Sequence, residues 1–590
     1  MSTDLQQKTP FDLPGLNLPL TFQPKTRWDQ SKFANALDER DIQNGSCGHI
    51  YTIRELLMMR IMDEITDKPG WEKKVFNEEI TTKWRKEIAE SGQDVSELMI
   101  EYLLKELQWK AERYEQTGIV TAYDPGVVKS DLAIPPALQH QLRDAVRPLE
   151  EVPEEAKDYH PRSEKRVVDL VHPSLFPLVY GRSKILPDSL ISVDDCFLRV
   201  GQGQVTELQP ETQGPYHREG DSNPYSRRFQ WLPCNVAFNA NGECKIASYI
   251  NNLHPMEHRE MYSVLEQILT RTIPLWNISL RDPERQLRIP YSEAKYIEAD
   301  PEPEAADSDE EQSEEFCDRY DAWKDAQQPV QPEPKGVFVP PEPRSDLVDL
   351  HAQFGDKGLQ VIVKLANIEL SPENPDYEGG AWHIEGQLNE RICATAIYYY
   401  DSENITANTL AFRHRADTQY VFDVSYEQGY FEFLRAFGFE PDAGYGTSFN
   451  GSFTQDLGGV STCPGRLLTF PNTLQHRVSP FSLSDRSKPG HRKILAFFLI
   501  DPTRRVISTA NIPPQREDWC TAWKQAMDDV LVARKLPPEL RDMIYRDAAF
   551  QPMTMDEAKA YRLELMDERS ANSENGNRAF EVGGFNLCEH

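Results

Sequence analysis

The chain has 590 residues, too long for one compact core, and 10 Trp, 23 Tyr and 26 Phe within a 39% hydrophobic share provide for a large interior. A formal charge of −31, from 64 basic and 95 acidic residues, argues against general affinity for nucleic acid or anionic membranes and leaves small substrates open. Nine scattered cysteines without a C-x-x-C pair fit buried thiols in a reducing compartment better than a disulfide frame or a zinc cluster.

Residues 1–50 are polar and turn-rich, and MSTDLQQKTPFDLPG lacks the basic start and apolar run of a signal peptide. No apolar run reaches the roughly 18 residues of a membrane span. The expectation is an intracellular protein, cytoplasmic or nuclear, with neither membrane nor nucleic acid as partner. Thr52 followed by Glu55 reads as a capping box opening the helix TIRELLMMRIMDEI. Helices are also expected through GWEKKVFNEEITTKWRKEIAE and SELMIEYLLKELQWKAERY. FQWLPCNVAFNANGECKIASYI, residues 229–250, predicts a hairpin turning at Asn241-Gly242. A helix follows, with Met261, Val264, Leu265, Ile268 and Leu269 on one face.

From Glu298 to Glu315, ten of eighteen residues are acidic and none is basic, and a proline-rich stretch follows. This predicts a solvated linker. Beyond it LQVIVKLANIEL, RICATAIYYY, GRLLTFPN and KILAFFLID are strand candidates without alternating helices, which favours an antiparallel sandwich or barrel. The chain then returns to helix. The expected organisation is an α+β protein: a mainly helical region 1–295, a linker 296–345, a β-rich core 346–515, and C-terminal helices 516–590. Helices near Trp519 and Trp523 are placed to form a lid.

Three His-x-acid pairs occur, His217/Glu219, His258/Glu260 and His383/Glu385, where 13 His and the acid content predict about two by chance. Scaffold separates them. Side chains two apart share a face on a strand but diverge by about 200° on a helix. His258 and Glu260 fall in a predicted helix and His217 and Glu219 in a polar loop, whereas His383 and Glu385 sit at a strand edge, in GGAWHIEGQLNE. A non-haem iron site needs a third ligand and an open face, and His476 in GRLLTFPNTLQHRVSPF supplies one. A 2-oxo acid chelated there presents a distal carboxylate that calls for a fixed guanidinium. Arg492 opens an apolar strand sixteen residues beyond His476, with Lys493 on the opposite face as its rival. Gln387 and Asn389 share the strand face of the first pair and are read either as donors behind the ligands or as turn residues.

The order HIEG, RICATAIYYYDSENIT, GRLLTFPNTLQHRVSPF and GHRKILAFFLID resembles the iron(II)/2-oxoglutarate dioxygenases, closest to the prolyl-hydroxylase-like branch, over about residues 346–515. Nearly the whole chain, including WLPCNVAFNANG and ISTANIPPQREDW, resembles a fungal family catalogued only as domain of unknown function 4246. The resemblance implies a double-stranded β-helix (jelly-roll) core. It implies His383, Glu385 and His476 as iron ligands, Arg492 on the distal carboxylate of 2-oxoglutarate, and Thr395 as a donor to the same carboxylate. Fe(II), 2-oxoglutarate and O2 would be the cofactors, and succinate a product. Glu replaces the Asp usual in that branch, and KLANIEL lacks the branch's co-substrate Tyr, for which Tyr377 and Tyr398 are the substitutes. A demethylase-like assignment lacks its Lys in the strand after the first motif. The rival functions are an inactive β-helix scaffold and a cupin-type metalloenzyme that needs no Arg492. A small molecule and a protein side chain are equally open as substrate, and no oligomeric state is implied.

Overall fold

This is a computed structural model, and it describes residues 33–37, 48–186, 189–208, 225–281, 287–297, 301–306, 313–326, 328–342, 347–417, 421, 424–425, 432–439, 448–449, 452–547, 552–581 and 585–586. His217, Glu219, most of residues 1–50 and part of the acidic stretch lie outside them. Helix α1 (Ile53–Thr66) begins where Thr52 Oγ1 accepts the Glu55 N–H at 3.2 Å. The other half of the predicted capping box does not form, because the Glu55 carboxylate turns inward to accept the Arg288 N–H at 2.7 Å. The second predicted helix is two, Trp71–Lys74 and Glu78–Ala89, since Asn77 caps a fresh start by accepting the Ile80 N–H. Helices α2 (Glu97–Thr117), α3 (Pro136–Glu150) and α4 (Arg259–Ser279) follow.

Among the described residues the strands of three residues or more are β1 (Val120–Tyr123), β2 (Val127–Ser130), β3 (Val167–Val171), β4 (Cys234–Phe238), β5 (Cys244–Ile246), β6 (Leu359–Leu370), β7 (Ile392–Glu403), β8 (Thr409–Arg415), β9 (Thr454–Ser461), β10 (Leu467–Pro471), β11 (Gln475–Val478) and β12 (Gly490–Ile500). Nine form one antiparallel sheet in the order β1-β2-β10-β7-β12-β6-β4-β5, with β3 also paired to β6. A smaller sheet runs β9-β8-β11. The hairpin β4–β5 turns as expected near Asn241-Gly242, with only Gly242 at positive φ (78°). The large sheet therefore draws five strands from before residue 346. The acidic stretch is not wholly linker: Glu314–Asp325 is helical, and Tyr296–Ile297 pairs with Gln328–Pro329.

Three layers result. On one face of the large sheet Val361, Val363, Leu365, Tyr398, Phe497 and Leu499 pack against Leu138 and Leu142 of α3 and Leu265 and Ile268 of α4. On the other, Ile397, Tyr399, Phe470 and Phe498 meet Leu410, Phe412 and Val460 of the small sheet. Helix α5 (Met555–Glu581) adds Ala558 and Leu565 to this second interior. Among the described residues no helix is long and apolar enough to cross a membrane.

One charge cluster ties the N-terminal helices to the sheet. Arg288, 6% exposed, holds Glu106 of α2 through two bonds of 2.7 and 2.8 Å and Asp124 of the β1–β2 turn through two of 2.5 and 3.1 Å. Removing the cation would leave buried carboxylates uncompensated. Arg288→Met should therefore lower unfolding free energy in urea by about 3–5 kcal/mol, and a loss below about 1 kcal/mol would contradict this account.

A second test concerns pH. His414 of β8 is 1% exposed, and burial pushes its pKa down to about 4. The unfolded ring takes a proton near the ordinary value of about 6.5, the folded one only near 4, so this group stabilises the fold above about 6.5 and that contribution is lost as pH falls towards 4. Relative to His414→Gln, the wild type should lose on the order of 2–3 kcal/mol between pH 7 and 4.5 in urea titrations. A difference independent of pH would show that the folded ring takes up its proton as readily as the unfolded one.

Candidate metal centre

His383 lies in a short extended segment beside β11, and its backbone exchanges two hydrogen bonds with His476: His383 N–H to His476 O at 3.2 Å and His476 N–H to His383 O at 3.1 Å. Residues facing one another in such a pair send their side chains to the same side of the sheet. The imidazoles accordingly lie with centroids 4.3 Å apart. Glu385 Oε1 is 3.7 Å from His383 Nε2 and 3.4 Å from His476 Nε2. Asn472 fixes the acid: its Oδ1 accepts the Glu385 N–H at 3.0 Å, and its Nδ2 donates to Glu385 O at 3.0 Å and Ile392 O at 3.1 Å.

The donor set fits a metal ion. His383 Nδ1 is 2.9 Å from Ala381 O, and a carbonyl can only accept, so Nδ1 carries the proton and Nε2 keeps its lone pair towards Glu385. Donors at right angles around an ion with bonds of roughly 2.1 Å stand about 3 Å apart, so the observed 3.4 and 3.7 Å need only a small contraction. Burial opposes the charge on Glu385, yet the two histidines outweigh it and hold the carboxyl well below its usual range. Burial, with the neighbouring His383, pushes His476 down to about 4, so this ring is neutral at pH 7. Desolvation works against charge on His383 as well, but the Glu385 carboxylate raises its pKa.

A second His/Asp group, His160, Asp169 and His172, is less suited to a metal. Asp169 Oδ2 is 2.8 Å from His160 Nδ1 and 3.6 Å from the Arg562 guanidinium. His172 Nδ1 accepts the Ser174 N–H at 3.2 Å, which places the ring's proton on Nε2 and removes that lone pair. The group is a hydrogen-bonded ion network.

Arg492, 2% exposed, leaves β12 on the face turned to the small sheet, while Lys493 goes to the helix side and pairs with Glu150 at 2.9 Å. Arg492 Nη1 donates to Asn408 Oδ1 at 2.8 Å, and its guanidinium lies 5.3 Å from the Tyr399 ring and 5.4 Å from the Phe481 ring. Among the described residues no carboxylate is within ion-pair distance of it. Two expectations for its partners need correction. Thr395 stands opposite Phe498, six positions along β12 from Arg492, or about 20 Å. It lies at the metal end, opposite Phe470, whose ring is 4.7 Å from that of His476, and cannot grip the same carboxylate as Arg492. Tyr398 faces the helices with Ala396 and Tyr400 and does not approach the group. Tyr399 takes its place, with a buried hydroxyl that has no hydrogen-bond partner. Tyr377 reaches the same end, its ring 5.1 Å from Phe481.

With this geometry in view, comparison with known proteins gives one firm result. Residues 97–523 match the family described as Protein of unknown function (DUF4246), and residues 13–87 match its N-terminal domain. The chain belongs to this family. No curated protein matches it. Solved structures similar to it include a bsmA homologue from Methylobium petroleophilum PM1 (TM-score 0.22, 9% identity, covering 67% of this chain and 94% of that one). Another is the selenomethionine-labelled Fe(II)/α-ketoglutarate-dependent dioxygenase TqaL (TM-score 0.21, 11% identity, 62% and 90% covered).

Other positions in this DUF4246 chain fall out differently from the sequence reading. The Gln387 side chain meets Glu568 of α5, and Asn389 holds Phe229 O and the Ser226 N–H, so neither stands behind a metal ligand. Trp519 and Trp523 pack with Phe197 and Tyr249, away from the site. Asn472, Asn408 and Tyr399 were missed. Only Tyr399 had a signal, being two steps of strand alternation from Thr395. Two cavities lie away from the His383–His476 pair: one of about 140 Å³ around Trp109 and Arg288, and one of about 550 Å³ at the sheet edge by Tyr159, Arg166 and His491.

Proposed function

We propose that this protein is an iron(II)- and 2-oxoglutarate-dependent oxygenase, and that its two facing sheets are a double-stranded β-helix. The strand order supports the fold: β6, β12, β7 and β10 form one wall, the His383 segment, β11, β8 and β9 the other, and the chain passes between the walls in the order such a roll requires. His383, Glu385 and His476 hold the metal. Arg492 receives the distal carboxylate of the oxo acid, with the Tyr399 hydroxyl as a further donor.

The observation that carries this reading is the charge on Arg492. A buried guanidinium without a carboxylate costs several kcal/mol, and here it faces the same interior as the two-histidine, one-glutamate group. An anionic group bound between the sheets would satisfy it. A cupin-type metalloenzyme leaves that cation unexplained. With iron, O2 and 2-oxoglutarate bound, the chemistry supplied is decarboxylation of the oxo acid to succinate and CO2, coupled to oxidation of a substrate C–H bond. The chain's part is to fix three ligands on one side of the ion, orient the oxo acid by its far end, and shield the site from water. The substrate is a small molecule or a protein side chain.

The test is succinate release from 2-oxoglutarate by iron-loaded protein without added substrate. The wild type should turn over slowly and His383→Ala not at all. Arg492→Ala should raise KM for 2-oxoglutarate about thirtyfold or more, and Tyr399→Phe about tenfold, while Tyr398→Phe leaves it unchanged. Absence of both succinate and bound iron would move the reading to an inactive scaffold.

A further inference from the structure

Helix α5 touches both segments that carry the two histidines. Two of its residues anchor it at a distance from the ligands. Arg562 donates to both Asp158 oxygens at 2.6 and 2.9 Å, and Arg569 pairs with the fully buried Glu390 while its guanidinium lies 3.8 Å from the Trp231 ring. Asn577 does something else. Its Nδ2 donates to Trp382 O at 2.9 Å, and its Oδ1 accepts from Gln475 Nε2 at 2.6 Å. Trp382 immediately precedes His383, and Gln475 immediately precedes His476. One amide thus clamps both ligand-bearing segments, one residue before each ligand. Gln475 is itself oriented, since its Oε1 accepts from Arg413 Nε at 2.6 Å.

The ladder beneath this clamp is sparse. Besides the reciprocal His383–His476 pair, the segment is bonded to β11 through Gly380 N–H to Val478 O at 3.0 Å, and regular pairing resumes only at Asp376–Tyr377. Asn472 holds the segment after His383, and the Trp382 ring lies against the Arg413 and Arg477 guanidiniums at 4.8 and 4.5 Å; a side chain that also fixes the Trp382 carbonyl relative to Gln475 adds the hydrogen bonds that set the spacing of the two imidazoles. We infer that Asn577 is a positioning residue of the metal centre, through which docking of α5 sets the affinity and symmetry of the site. The inference rests on the reading that His383, Glu385 and His476 bind a metal. It adds that the site is incomplete without the C-terminal helix.

The experiment titrates the full-length chain with Co(II), which reports both affinity and ligand geometry through its visible absorption. The variants are His383→Ala, Asn577→Ala, Asn577→Asp and Asp567→Asn, the last removing an exposed contact of the same helix with Arg162. Asn577→Ala should weaken Co(II) binding about tenfold, at the lower end of the 10- to 100-fold usual for residues supporting metal ligands, and alter the absorption bands. Its melting temperature without metal should stay near that of the wild type, because Arg562 and Arg569 still hold the helix. Asn577→Asp, the same shape without the donor to Trp382, should weaken binding too, and it keeps the test decisive if the alanine variant aggregates. Asp567→Asn should bind as the wild type does. Wild-type affinity and spectrum in both Asn577 variants, or a lower melting temperature with unchanged Co(II) binding, would overturn the inference and leave Asn577 as a docking contact. Wild-type protein that takes up no Co(II) in a His383-dependent way would overturn the metal reading itself, and this inference with it.

Discussion

Successive side chains on a β-strand leave opposite faces, and in β7 and β12 this alternation divides the chemistry from the packing. Along β12, Arg492, Ile494, Ala496, Phe498 and Ile500 turn to the small sheet, and Lys493, Leu495, Phe497 and Leu499 turn to the helices. Along β7 the same rule sends Thr395, Ile397 and Tyr399 inward. One step of register would exchange Arg492 for Lys493 and Tyr399 for Tyr398 and remove the cation from the interior. Ten paired positions between these strands guard against that slip.

Buried arginines elsewhere in the chain show what an ordinary one looks like. Arg288 has Glu106 and Asp124, and Arg466 has Asp131 with Asp67 at 3.0 Å. Each sits in a cluster of carboxylates that repays its desolvation. Arg492 has one neutral amide, Asn408, and two aromatic faces. The contrast within one molecule makes an accidental burial a poor account of Arg492 and a charged ligand a good one.

How much of this was legible in the sequence depended on whether the cause was local. The start of α1 at Thr52 and the turn at Gly242 rest on residues within four positions of each other, and both were readable. The His383/Glu385 pair was separable from its two rivals because strand and helix geometry are local properties. His476 was set beside them as the candidate third ligand from its place just past a strand, and the structure brings its ring next to that of His383. Pairing of β6 with β3 and β4, more than a hundred residues earlier, has no local signature, so strands of the N-terminal region were assigned to a mainly helical unit. The Tyr398/Tyr399 choice was lost to register: β7 shifts against β12 between Ile392 and Ala394 and again between Tyr399 and Asp401, so counting from the ends misleads. In the acidic stretch, Phe316 and Tyr320, four apart and stacked at 6.1 Å, carried a helical spacing that the charge run obscured.

The position of α5 in the chain bears on how the protein is made. Asn577 emerges roughly a hundred residues after His476. At translation rates of about 5–20 residues per second, the segments that carry His383 and His476 are made about 5–20 seconds before the helix that clamps them is available. During that interval the spacing of the two imidazoles lacks the Asn577 amide that bonds Trp382 O and Gln475. A metal ion met during synthesis would find a looser centre than one met afterwards, when the His383 side chain, 39% exposed, is still within reach of solvent.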